Sequence, residues 1–271
     1  MKKMLIVIAL SITVFVMASC GGRDENVLRV GMDLGYPPFE TRDNNDEPMG
    51  ISVDVAYMLG EYLGREVEIV DTDFGSLIPA LNSGGIDVII ASMSKTESRM
   101  QSIDFSDPYF VFNIISLVNA DFANQNGITP DSTKEDLLML DEIEFVGLSG
   151  QVSATIPEEY DKEVTIATNL GTAILGVAQG SSDVLLMSPM PVTNGNRAHP
   201  EDTIVVWDVF DPSPIAMGVR QGDDELLSQI NAFIATMSEP GGAYEQLHDK
   251  WNEHIEGLLE RYGFEYFIYE D

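Results

Sequence analysis

Residues 86–110, IDVIIASMSKTESRMQSIDFSDPYF, decide how this chain is read. The apolar run 88–91 has the composition of a buried strand and ends in a Ser-x-Ser loop. Thr96 followed by Glu97 then has the form of a helix N-cap with an acid in the first turn. Arg99 is thereby placed near a helix start, at the carboxyl end of a strand. A carboxylate brought there could take a bidentate bond from Arg99, hydroxyl bonds from Ser92 and Ser94, and the free N–H groups of the helix end. A plainer role for Arg99, a surface cation paired with Glu97, leaves the two serines before it unexplained.

Outward from that pocket, strands and helices alternate. Residues 28–32 read as a strand, and Ile51, Val55, Met58, Leu59, Tyr62 and Leu63 recur on one helical face that Gly64 ends. A strand at 66–70, a helix at 77–82 and a strand at 86–91 follow. Later in the chain, strands at 145–148, 164–167 and 184–187 are separated by a short helix and by a helix at 170–179. Each run is β-α-β-α-β, the half-unit of a parallel α/β sheet. The halves echo each other, LNSGGIDVIIASMS against VAQGSSDVLLMSPM, so Ser188 falls where Ser92 sits, at the exit of a third strand. Asp87 and Asp183 are expected to position strand starts rather than touch a ligand. Two halves facing across their strand ends enclose a cleft, where open sheets bind ligands.

The amino terminus says where such a cleft would work. Lys2 and Lys3 precede an apolar run, 4–17, that is too short to span a bilayer but suits a secretory signal. Met17-Ala18-Ser19-Cys20, followed by Gly21 and Gly22, resembles a bacterial lipobox. A signal peptide over 1–19, a lipid on Cys20 and a tether over 20–26 are expected; an ordinary secretory signal is the plainer alternative. Cys20 is the only cysteine, which excludes a disulfide within the chain and any Cys-based metal or redox site.

Lys and Arg total 14 against 45 Asp and Glu, a formal charge of −31 that rules out nucleic acid as a partner. At 44% hydrophobic residues the chain is not a disordered acidic tract, so the acid coats a folded surface. That coat either keeps the protein soluble or adapts it to a saline exterior, where ions screen the self-repulsion.

The order LRVGMDLGYPPFE, PMGISVDVAYMLGEYLG, FGSLIPALNSGGIDVIIASMSKTESRMQSIDFSDPYF, VGLSGQ and AYEQLHDKW resembles the family 3 solute-binding proteins of ABC importers for polar amino acids. The resemblance runs from Leu28 to Trp251. It implies a two-lobed α/β fold of the periplasmic-binding-protein type II class, each lobe a mostly parallel sheet flanked by helices, closing by a hinge around a small solute. Lobe 1 is expected at 27–110 plus 217–271, lobe 2 at 115–210, and the hinge at 111–114 and 211–216. Also implied is a monomeric, lipid-anchored, extracytoplasmic receptor with no cofactor, which delivers an amino acid or related carboxylate to ABC permease subunits.

In that family the first lobe grips the solute's α-carboxylate through an arginine and nearby serines, which fall here on Arg99, Ser94 and Ser92. Asp33 and Tyr36 match the acidic and aromatic wall of the first loop, and Phe74 the aromatic after the second strand. The Ser149-Gly150-Gln151 turn, one residue short of the usual form, corresponds to the lobe 2 loop whose N–H groups also meet the carboxylate. Met93, between the two serines, is either cleft wall or core. The sequence departs from the pattern at Ile51, where the family stacks a phenylalanine, and at Ser52 in place of the following acid. It departs again at Ser188, in place of the aspartate that pairs with the α-ammonium. The solute is therefore expected to lack a free primary α-ammonium or to have it met by Asp33; a shifted alignment would give that role to Asp183.

No catalytic constellation stands in the sequence, and His248 and His254, six apart, are not an i, i+4 metal pair. The rival readings are a dehydratase on the same fold, which needs a cleft acid to protonate a leaving hydroxyl, and a ligand-sensing receptor component. The aromatic tail, GLLERYGFEYFIYED, is expected to pack on lobe 1.

Overall fold

The computed structural model describes residues 26–259 and 262–269, so the expected signal peptide and Cys20 lie outside the described residues. From the amino end, β1 (Val27–Met32) leads through the hairpin of β2 (Thr41–Arg42) and β3 (Pro48–Met49) into α1 (Ile51–Leu63). Then come β4 (Glu66–Asp71), a 3-10 turn (Phe74–Ser76), α2 (Leu77–Ser83), β5 (Val88–Ile89), α3 (Glu97–Met100), β6 (Asp104–Phe105) and β7 (Phe110–Asn113). The middle of the chain forms β8 (Ile115–Asn119), α4 (Ala120–Asn126), α5 (Lys134–Leu138), β9 (Phe145–Leu148), α6 (Val152–Glu159), β10 (Val164–Ala167), α7 (Leu170–Ala178), β11 (Val184–Met187), α8 (Pro189–Ala198) and β12 (Thr203–Val206). It returns through β13 (Pro212–Ile215), β14 (Gly218–Val219), α9 (Asp224–Thr236), α10 (Ala243–Leu259) and a last 3-10 turn (Phe264–Phe267).

Two five-stranded sheets result, in the orders β4-β1-β5-β14-β6 and β10-β9-β11-β8-β12. In each, a central strand runs parallel to its two neighbours: β1 to β4 and β5, β9 to β10 and β11. Beside the third strand lies an antiparallel one from another part of the chain, β14 against β5 and β8 against β11. The plan of the two lobes is therefore the same. A two-stranded ribbon joins them, β7 against β13, with Pro212 opposite Asn113 and Ile215 opposite Phe110. Both chain crossings pass through it.

Burial follows strand position. In β1, central and covered on both faces, Leu28, Val30 and Met32 are fully buried, whereas edge strand β4 turns Glu66, Glu68 and Asp71 outward. Helix α1 buries Ile51, Val55 and Leu59 and ends where Gly64 takes φ 66°, a left-handed cap that favours glycine. Ile51 thus belongs to the core, which explains an aliphatic residue at that position. The third strand of lobe 1 is shorter than the expected 86–91, because its partner β14 offers only Gly218 and Val219; Ile86 and Ile90 are nonetheless fully buried. In the tail, Phe267 meets Phe39 at 5.2 Å and Phe112 at 5.6 Å, edge to face in both cases. Ile268 bridges to Phe110, so the tail braces lobe 1 and the ribbon.

Candidate functional site

A cavity of about 680 Å³ opens between the lobes, at the carboxyl ends of their parallel strands. Its lobe 1 wall is built on the loop between β5 and α3. Ser94 is tied to the ribbon, its Oγ accepting from Ser213 Oγ at 2.6 Å, while the Lys95 N–H donates to the Pro214 carbonyl at 2.8 Å. Thr96 caps α3 as its sequence suggests, accepting from the Arg99 N–H at 3.3 Å. That bond engages one of the expected helix donors, the Arg99 N–H of a four-residue helix, and the Arg99 guanidinium is the cation of this wall.

Arg99 donates from Nη1 to the Ser94 carbonyl and from Nη2 to the Gly150 carbonyl, each at 2.7 Å, and lies over the Phe74 ring at 5.1 Å. Burial lowers its pKa to about 10. None of the ion pairs among the described residues involves Arg99. A half-buried guanidinium whose neighbours are carbonyls and an aromatic face is suited to a carboxylate, because its charge is desolvated and without an ionic partner.

The other expected residues divide. Asp33 lines the cavity and also pins its loops: Oδ1 accepts from the Gly35 N–H at 3.2 Å and Oδ2 from the Phe74 N–H at 3.0 Å. Tyr36 lines it too, stacked on Phe112 at 6.3 Å, and its hydroxyl bonds the Ser188 hydroxyl across the cleft. Burial raises the Tyr36 pKa far above neutrality, so the phenol stays protonated. Phe74, Ser92, Ser94, Gln151 and Ser188 are also in the wall. Met93 is not: it is 1% exposed and packs in the lobe 1 core. The lobe 2 turn also differs from expectation, since the Gln151 N–H donates back to the Leu148 carbonyl at 3.0 Å and Gly150, at φ 74°, offers Arg99 its carbonyl. Asp183 precedes β11 while Ser188 follows it, and its Oδ2 accepts from the Glu144 N–H at 2.8 Å. It is therefore at the wrong end of the strand to meet a solute in the cleft.

Several wall residues escaped the sequence reading. Phe112 comes from the ribbon and Ile114 from directly after it, where the sequence FVFNI has no apolar–polar alternation to say which side chains face the cleft. Thr168 and Asn169 sit directly after β10, at a strand's carboxyl end, and Asn169 caps α7 by accepting from the Thr172 N–H at 2.9 Å. Asp73 precedes Phe74 in the wall. The charged residues of the wall, Asp33, Asp73 and Arg99, all belong to lobe 1, whereas Leu148, Ser149, Gln151, Thr168, Asn169 and Ser188 of lobe 2 are neutral.

Comparison with known proteins agrees with this architecture. Residues 28–254 match the family model of the bacterial extracellular solute-binding proteins, family 3. A probable histidine-binding protein of Neisseria gonorrhoeae is 25% identical over 266 residues, covering 93% of this chain and 96% of that one. Among solved structures, an ancestral arginine-binding protein bound to arginine superposes with a TM-score of 0.70 at 29% identity, over 84% of this chain and 99% of that one. An ancestral amino-acid-binding protein, described as a precursor of cyclohexadienyl dehydratase, superposes equally well, with a TM-score of 0.70, 29% identity, and coverage of 83% and 95%.

Proposed function

The chain belongs to the bacterial extracellular solute-binding proteins, family 3, and from that membership we propose that it is the receptor of an ABC importer. Its solute is a small carboxylate, an amino acid or a relative, held between the lobes. One observation carries this: Arg99, half-buried, without a carboxylate partner among the described residues, stands beside Ser92 and Ser94 in the interlobe wall. Named relatives bind histidine, arginine or cystine, amino acids that share a carboxylate, which fits a cleft whose wall holds one cation. Any ammonium of the solute is met by Asp33 of lobe 1, since Ser188 offers one neutral hydroxyl where an acid would be needed to balance a buried charge. Lobe 1 comprises 27–110 and 217–271, lobe 2 comprises 115–210, and closure occurs at 111–114 and 211–216.

A thermal-shift screen of amino acids, their des-amino analogues and betaines tests the reading, because a ligand that binds only the folded form raises its melting temperature by mass action. Stabilisation by a carboxylate-bearing solute is expected; no shift with any of them would contradict it. The dehydratase reading has in its favour the likeness to a dehydratase precursor. Against it, lobe 2 contributes no acid to the wall, so the leaving hydroxyl of such a substrate would find no proton donor there. Attachment to the membrane is through a lipid on Cys20, in front of which the apolar run 4–17 ends. Cys20→Ser should move the protein from the membrane fraction to the soluble one; an unmodified Cys20 thiol in a soluble wild type would refute the anchor.

A further inference from the structure

Directly behind Ser92 lies a carboxyl that takes no part in the wall. Glu40 is 1% exposed and is fixed by the turn after β1, where the Tyr36 N–H donates to the Glu40 carbonyl at 2.8 Å and the Glu40 N–H to the Tyr36 carbonyl at 2.9 Å. Ser92 Oγ stands 2.7 Å from Oε1 and 3.0 Å from Oε2. Ser92 has φ 49°, a left-handed conformation unusual for a residue other than glycine, and one that persists only where the surroundings impose it. No ion pair among the described residues includes Glu40. The groups that face it are Ser52 from α1, Asp33 from the loop after β1, Tyr36 from its own turn, and Tyr109 from the segment before β7. All are neutral or acidic. Burial, with Asp33 adding to it, pushes the Glu40 pKa up to about 8 against the opposing hydroxyl bonds.

The Ser92 hydroxyl has one proton to give. Facing an ionised Glu40, which can only accept, that proton is directed away from the cleft; facing a protonated Glu40, the hydroxyl can accept from the acid and turn its own proton outward. An ionised Glu40 would also place a second buried negative charge one serine away from a bound carboxylate, in a site of low dielectric. We propose that Glu40 is a positioning residue that carries a proton in the solute-bound state, donating to Ser92 Oγ so that the Ser92 hydroxyl donates to the solute's carboxylate. The proposal rests on the cleft being a carboxylate site. Where Glu40 is ionised in the unbound protein, binding draws one proton from solvent onto its carboxyl. Affinity is then level under acidic conditions and falls as the medium passes the range in which Glu40 gives up its proton.

Calorimetric titration with the strongest solute of the amino-acid screen tests this. For the wild type, the dissociation constant should be level below about pH 7 and rise about tenfold per pH unit above about pH 8, with about one proton taken up per solute, as heats in buffers of different ionisation enthalpy report. Glu40→Ala should weaken binding about tenfold at acidic pH. Glu40→Gln, whose amide N–H can donate to Ser92 Oγ, should recover most of that loss and remove both the bend and the proton uptake. The difference between wild type and Glu40→Gln cancels the titration of the solute's own amino group. Identical pH profiles for the two, or no proton uptake by the wild type above about pH 8, would overturn the role of Glu40. A wild type that binds no carboxylate solute even at acidic pH would contradict the carboxylate cleft itself, a distinguishable failure.

Discussion

Asp87 opens β5 in lobe 1 and Asp183 opens β11 in lobe 2, and each accepts a backbone N–H at the start of the neighbouring central strand, that of Arg29 at 3.0 Å and that of Glu144 at 2.8 Å. Each strand then runs through fully buried aliphatic residues to a serine at the cleft, Ser92 and Ser188. Beyond that point they diverge. Ser92 has a buried acid behind it, and after it the chain makes a loop stitched to the ribbon that presents Ser94 and Arg99; after Ser188 it goes straight into α8, whose first turn is Pro189, Met190 and Pro191. One scaffold has been used twice, and the charged chemistry was placed in one copy. Lobe 1 supplies the charged groups of the cleft wall, while lobe 2 lines it with hydroxyls, two amides and apolar groups.

The sharpest way to break that contrast is to remove the charge. Arg99→Ala leaves a bound carboxylate desolvated without a partner, which should cost about 3 kcal/mol, on the order of a hundredfold in affinity, by calorimetry. Binding within about threefold of wild type would place the solute's anion elsewhere. Gln151→Ala, the matched change in lobe 2, should cost about tenfold or less, as expected for a neutral hydrogen bond.

Glu40 gives the contrast a stability signature, since lobe 2 has no matching buried acid behind Ser188. Its folded pKa, raised to about 8, lies above its unfolded value, so between roughly pH 4.5 and 8 the folded protein holds more protons and stability falls as pH rises. The loss is on the order of 5 kcal/mol across that window and is complete above it. Glu40→Gln should be more stable than wild type at about pH 9 by denaturant unfolding, with the advantage shrinking towards about pH 5. An advantage that does not change with pH would show that Glu40 does not titrate in this window.

Ser188 and Asp33 test whether an ammonium is met by lobe 1 alone. Ser188→Asp should improve binding of ordinary α-amino acids about tenfold if the position faces the solute's cation, and Asp33→Asn should weaken it by a similar factor. Tight binding unaffected by either change would remove both residues from that role. The smallest expected effect belongs to the surface. With a formal charge of −31, the melting temperature should climb from low to molar salt as like charges are screened. A flat dependence would leave the acid excess as a solubility coat without saline adaptation.

The parts of this contrast that were legible in the sequence are those set by local rules. The strand at 145–148, the cap at Thr96 and the Gly64 stop each depend on a few neighbouring residues, and the structure has them where the pattern puts them. The echo of 81–94 in the second half was visible for the same reason, because it is composition repeated along the chain. What could not be read depends on contacts between distant segments. A glutamate in a Pro-Pro turn looks solvated until Ser92, 52 residues on, is folded against it. Phe112 faces the cleft because the ribbon pairing sets its side, and Met93 turns into the core because Ser92 and Ser94 on either side of it take the wall. The Gly150 carbonyl accepts from Arg99, 51 residues away along the chain, and the Gln151 N–H is used within its own turn, neither of which the local sequence shows.

The most direct measurement compares the best-binding amino acid with its own carboxamide in parallel calorimetric titrations of the wild-type protein. The pair differs in the one group that Arg99, Ser92 and Ser94 are held to recognise. The expected result is a loss of about a hundredfold or more for the carboxamide, because the desolvated guanidinium then lacks an anion. A carboxamide that binds within about threefold of the acid would contradict the assignment of the solute's carboxylate to lobe 1.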